Sequence, residues 1–232
     1  MTSPQASLLP RLVAEGLGTA FLLAIVIGSG IMGERLAGGN VAIALLANSF
    51  ATGCGLAVLI YVFAPISGAH FNPVVTFAMA LRGRQPWREF GPYIVVQVLG
   101  AFCGVVAAHL MFGLPLFSMS GHVRPGWAQD WSEFVATFGL LMTILACTRN
   151  PSERTLGGAA AAIGAYIAAA YWFTSSTSFA NPAVTLARAA SDTFAGIRPD
   201  DVPGFIVAQI LGASAALAIW DRVLAPMKQD RT

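Results

Sequence analysis

Stretches of about 20 apolar residues recur along the chain at roughly 11–33, 41–64, 88–112, 130–149, 156–173 and 202–223. At about 1.5 Å per residue each is long enough to cross a hydrocarbon layer of about 30 Å, so the pattern predicts six membrane-spanning helices. Two more apolar pieces, near 70–82 and 179–190, are too short to cross: about ten helical residues reach halfway. Short segments of this kind at matching places in two halves point to a binding site or a pore. The first stretch has no basic start and no small-residue cleavage site, and it reads as a retained first helix.

The halves match residue by residue. Glu15 and Thr19 in AEGLGTAFLL recur as Glu133 and Thr137 in SEFVATFGLL. Asn72-Pro73-Val74-Val75-Thr76 recurs as Asn181-Pro182-Ala183-Val184-Thr185, and Gln97, Leu99, Gly100 and Ala101 recur as Gln209, Leu211, Gly212 and Ala213. Three markers in the same order imply an internal duplication, with 11–112 as the first repeat and 130–223 as the second inside one transmembrane domain over 1–232. Three spans per half is an odd number, so the second repeat enters the membrane inverted. A cytoplasmic N-terminus puts Arg11, Arg82, Arg84, Arg88, Arg149, Arg154, Arg222, Lys228 and Arg231 inside, and leaves only Arg35, Arg124, Arg188 and Arg198 on or toward the other side. Both termini are therefore expected in the cytoplasm.

Irregular backbone survives at membrane depth only where protein buries it or water lines it. Asparagine is a favoured helix N-cap and proline fits the first helical position, so each Asn-Pro reads as the start of a re-entrant half-helix. Inverted topology brings the two starts together near the midplane. Two positive dipole ends and two side-chain amides then meet at a point that repels cations and offers N–H donors to a passing solute.

Composition agrees: 56% of the residues are hydrophobic and 10% charged, with a mean hydropathy of +0.69, against about 25% charged in soluble domains. A net charge of +2 without a dense basic run argues against nucleic-acid partners. Cys54, Cys103 and Cys147 form neither a CxxC pair nor a disulfide framework and read as small buried hydrophobes. His109 and His122 lack partners at ligand spacing, so no metal or other cofactor is expected. No nucleophile and base pair or phosphate loop suggests an enzyme.

At these motifs the chain resembles the aquaporin family, the major intrinsic proteins, over essentially its whole length. The family carries two Asn-Pro-Ala boxes; here Ser67-Gly68-Ala69-His70-Phe71-Asn72-Pro73 gives the context of the first, with Val74 in place of its alanine, and Asn181-Pro182-Ala183 is the second. The resemblance implies an all-α membrane fold of six transmembrane helices and two re-entrant half-helices, a homotetramer, and one pore per subunit for water and small neutral solutes. In most members an arginine follows the second box and walls the narrowest filter; this chain has Val184. Counting from the two asparagines as the family pattern does puts the other filter positions at Thr52, about Ala169, and Ser178, all small or medium and uncharged. A wider, less polar filter is expected. Arg188 follows four residues later, about 6 Å along a helix, which sets its charge away from the constriction.

Glu15 and Glu133 are expected to accept hydrogen bonds from the re-entrant loops, with proton relay as the alternative. His70 is expected to line the cytoplasmic side of the pore, as a neutral packing residue or as a gate. Tyr171-Trp172-Phe173 reads as an interfacial belt. The filter pattern resembles bacterial members linked to arsenic resistance, which implies the bacterial inner (plasma) membrane and adds arsenite and methylated arsenicals to glycerol and urea as candidate solutes. An ion-coupled secondary transporter is the alternative function, since inverted repeats also build carriers.

Overall fold

The computed structural model describes residues 7–149 and 155–224; Arg154, Lys228 and Arg231 lie outside the described residues. The described residues form helices and no strands: α1 Leu8–Leu36, α2 Val41–Ser67, α3 Pro73–Leu81, α4 Trp87–Phe112, α5 Trp127–Cys147, α6 Leu156–Phe173, α7 Pro182–Arg188 and α8 Val202–Ile219. A 3-10 turn at Pro199–Asp201 leads into α8, and a π-helical turn at Trp220–Leu224 closes it. Six of these are long and apolar enough to cross a membrane, and α3 and α7, at 9 and 7 residues, are not. The chain is thus an integral, multi-pass membrane protein whose short pieces are half-helices.

The two halves pack alike. Helix α1 lies against α4 in the first, α5 lies against α8 in the second, and α2 meets α6 where the halves join. Between membrane helices the packing drive comes from close backbone approach, which small residues permit. A Cβ added at Gly100 would overlap the Gly16 carbonyl of α1, and one at Gly212 would overlap the Phe134 carbonyl of α5. The repeated Gln-x-Leu-Gly-Ala marker is therefore the seat of the α1·α4 and α5·α8 crossings.

Charges collect at the two ends. At one, Arg11 pairs with Glu89 at 2.8 Å, Arg82 pairs with Asp221, and Arg149 donates to the Leu224 carbonyl. At the other, Arg35 donates to the Phe112 carbonyl, the Arg124 backbone N–H donates to Asp201, and Arg198 pairs with Asp201 at 2.8 Å. Only Cys147 of the three cysteines is buried; Cys54 and Cys103 face outward. An apolar side chain gains nothing from burial when the surroundings are lipid, and this corrects the expectation for those two.

Candidate functional site

Both Asn-Pro pairs start helices as expected. The Asn72 side-chain oxygen accepts from the Val74 N–H at 3.1 Å, and that of Asn181 accepts from the N–H groups of Ala183 and Val184 at 3.0 and 3.3 Å. Pro73 and Pro182 occupy the first turn of α3 and α7. Each amide nitrogen then crosses to the other half: Asn72 donates to the Ala180 carbonyl and Asn181 to the Phe71 carbonyl, both at 2.7 Å. A side-chain amide carries two N–H bonds, so one ties the halves together and the second is left for whatever occupies the space between. Val74 is buried in the same apolar cluster as Ala183, so the replaced alanine sits in packing rather than in the cavity.

The loops that deliver these asparagines are strained in parallel ways. Ala69 and Phe71 before Asn72, and Ser178 and Ala180 before Asn181, have φ between 49° and 51°, a left-handed region costing about 1 kcal/mol or more per non-glycine residue. Two fully buried carboxylates hold them there. Glu15 accepts the N–H groups of His70 and Phe71 at 2.9 and 2.7 Å, and Glu133 accepts those of Phe179 and Ala180 at 2.8 Å each. Gln97 bridges Glu15 to Thr76, and Gln209 bridges Glu133 to Thr185, with bonds between 2.7 and 2.9 Å. Each glutamate is consumed in clamping a loop.

A cavity of about 580 Å³ runs past both asparagines. Thr52, Ser178 and Val184 line it. Val75 of α3, which stands in its repeat where Val184 stands in α7, lines it too. Ala169 does not: it is exposed on the outer face of α6, while Ile167 and Tyr171 of the same helix face the cavity. Successive helical residues are rotated by about 100°, so counting across a loop that differs by a residue or two moves the position from the cavity face to the outward face. Tyr171 is also no part of an interfacial belt. It is 2% exposed, and its phenol donates to the Thr52 hydroxyl at 3.3 Å, whereas Trp172 and Phe173 point outward.

Arg188 also reaches the cavity. It is 1% exposed, lines the same cavity, and lies with its guanidinium carbon 3.3 Å above the Phe179 ring centre. Arg124 approaches that ring at 4.9 Å and anchors its own loop by donating to the Gly196 and Ser176 carbonyls. Burial lowers the Arg124 pKa to about 10, which leaves it a cation at neutral pH.

At the opposite end Arg11, Arg84, Gln85 and His70 line the cavity. Arg11 is held by Gln85 and Glu89 and lies 5.5 Å over the Tyr93 ring. His70 Nδ1 is 3.2 Å from the Thr76 hydroxyl. His109 is committed elsewhere, with its ring nitrogens against the Pro115 carbonyl and the Ser191 hydroxyl at 2.6 and 2.8 Å. It is a buried strut between the segments around Pro115 and Ser191. Phe179, Tyr171 and Arg188 are among the lining residues that sequence reasoning left out of the site. The signal for Arg188 was present: it stands four residues after Val184, hence on the same helix face.

The major intrinsic protein family model matches residues 2–180. The chain is 52% identical over 218 residues to the aquaglyceroporin AqpS of Rhizobium meliloti, covering 94% of this chain and 91% of that one. It is 34% identical over 154 residues to the glycerol uptake facilitator protein of Bacillus subtilis, covering 59% of this chain and 54% of the relative. Among solved structures it superposes on the aquaglyceroporin from Plasmodium falciparum with a TM-score of 0.75 at 21% identity, covering 95% of this chain and 98% of that one, a likeness of fold. Six spans, two asparagine-capped half-helices meeting in one cavity, and a family match over most of the length agree, and the chain belongs to the major intrinsic proteins.

Proposed function

We propose that this protein is a passive channel for water and small uncharged solutes of glycerol size, among them neutral oxygen-bearing arsenic species. The observation that carries this reading is the meeting of two asparagine-capped helix starts in one cavity. N–H donors and two positive dipole ends face a solute there, an arrangement that accepts neutral oxygen groups and rejects cations. The similarity to an aquaglyceroporin and to a glycerol uptake facilitator supports the same solute class. Among the described residues no Asp or Glu lines the cavity, and both intramembrane glutamates are occupied by loop N–H groups, so ion-coupled transport finds no carboxylate to use.

In this reading 11–112 and 130–223 are inverted repeats of one channel domain over 1–232. Asn72 and Asn181 donate to the solute, Thr52, Ser178 and Val184 form an uncharged ring, and His70 lines the inner mouth. Four copies assemble, each with its own pore, in a bacterial inner membrane with both termini in the cytoplasm. The end that carries Arg11, Arg82, Arg84 and Arg149 is then the inner face.

Proteoliposomes under a solute gradient test it: light scattering should show accelerated exchange of water and of glycerol, in both directions and unaffected by a proton or sodium gradient. Acceleration of water alone overturns the wide-pore reading, and gradient-driven accumulation would favour a carrier. Asn181→Asp places a negative charge where the dipole ends meet, and a measurable cation conductance should appear that the unaltered protein lacks. Unchanged ion exclusion with full solute flux would show that this amide does not face the pore.

A further inference from the structure

Arg188 heads the fully buried side chains by size, and among the described residues no carboxylate stands within ion-pair distance of it. Burying an unpaired cation is costly, and an ionisable group at membrane depth marks a functional site by default. Its surroundings are built to hold it. The Nε–H donates to the Ala195 carbonyl, and the guanidinium carbon lies 3.3 Å over the Phe179 ring centre. Phe179 is itself fixed, by its N–H on Glu133 at 2.8 Å and by edge contact with Phe205 at 5.2 Å. Tyr171, bonded to the Thr52 hydroxyl at 3.3 Å, lines the same cavity.

The direction of the side chain matters as much as its position in the sequence. Helical side chains tilt toward the N-terminus of their helix, so Arg188 leans back toward Asn181, over the turn that begins at Val184. An arginine is long enough to cover one turn of about 5.4 Å. Four residues of rise are thus largely recovered by the reach of the side chain.

We propose that Arg188 is a specificity-determining residue of this pore, supplying from one turn further along α7 the fixed positive charge of the outer constriction, while Val184 leaves the aperture open. This rests on the channel reading above. An arginine at the Val184 position would narrow and charge the pore with one side chain; here the two effects fall to different residues. The terminal N–H groups not used on Ala195 are donors for hydroxyl oxygens, and the charge repels cations. Oxygen-rich neutral solutes wider than water are the class this arrangement selects.

The test compares Arg188→Leu, Arg188→Lys and Phe179→Leu with the unaltered protein in proteoliposomes, reading cation conductance and the ratio of glycerol to water permeability in the same vesicles. Arg188→Leu should raise cation conductance about tenfold or more above that of empty vesicles and shift the permeability ratio at least threefold. Arg188→Lys keeps the charge but not the planar fork, so it should retain cation exclusion while the ratio moves. Phe179→Leu removes the platform under an intact arginine and should also move the ratio. If Arg188→Leu does not assemble, the other two variants carry the test. Folded variants that conduct solute with the ratio and the ion exclusion unchanged overturn the proposal. Absence of solute flux in the unaltered protein would instead overturn the channel reading on which it rests.

Discussion

Glu133→Ala is expected to eliminate solute flux and to lower the thermal unfolding midpoint in detergent by on the order of 10 °C. The carboxylate accepts two backbone N–H groups and one side-chain N–H, all buried. Hydrogen bonds to a charged acceptor contribute about 1.5–3 kcal/mol each, so their loss amounts to roughly 5 kcal/mol or more. At about 2–4 °C per kcal/mol for a chain of this size the shift should be plain. The lost bonds also release Ala180, whose φ of 49° the clamp maintains and whose carbonyl receives the Asn72 amide. The damage therefore spreads from one loop to the other half of the site. Glu15→Ala should behave alike, since it clamps His70 and Phe71 in the same way. Glu133→Gln keeps one acceptor oxygen but turns N–H groups against N–H donors, and its loss should be nearly as great. A Glu133→Ala protein with normal flux and a midpoint within about 2 °C would show that the loop holds itself, and the clamp would have to be given up.

Val184→Arg is expected to reduce glycerol flux at least tenfold while water flux falls much less. Val184 is 4% exposed, lines the cavity beside Asn181, and stands on the face that also presents Arg188. The new side chain fills space that a three-carbon solute needs and brings five donors that water can satisfy in file. It also sets a second guanidinium one turn from Arg188, and like charges at that spacing repel. Combining Val184→Arg with Arg188→Leu removes the repulsion, so the double variant should assemble better and stay restrictive to glycerol. Both permeabilities must be read in the same vesicles, because a misfolded variant loses the two together. Unchanged glycerol transport at normal expression would place Val184 away from the constriction.

The residues that were legible in the sequence are those whose backbone role has a fixed chemistry. Asn72 and Asn181 announce caps, Pro73 and Pro182 announce first turns, and span lengths follow from bilayer thickness. Glu15 and Glu133 could be matched to loops because a buried carboxylate must find donors. What was not legible depends on rotation about a helix axis. In a soluble helix a polar stripe marks the outside. In α2, α4 and α6 both faces are apolar, so nothing in the pattern showed that Cys54, Cys103 and Ala169 point outward while Tyr171 faces the cavity. For Arg188 the count of rise between Cα atoms left out the backward tilt of the side chain, and the residue lines the cavity.

The two amide bonds at the centre also impose an order of events on biosynthesis. Asn72 bonds to a carbonyl 108 residues downstream, and Asn181 to one 110 residues upstream. While the first half alone has left the ribosome, α3 has its proline and its cap, yet its amide has no partner and its loop faces no second helix start. An unpaired polar group at that depth is costly, so an early half-protein cannot hold this geometry by itself. The two amide bonds therefore cannot both form before residues 180 and 181 have been made and have met Phe71 and Asn72.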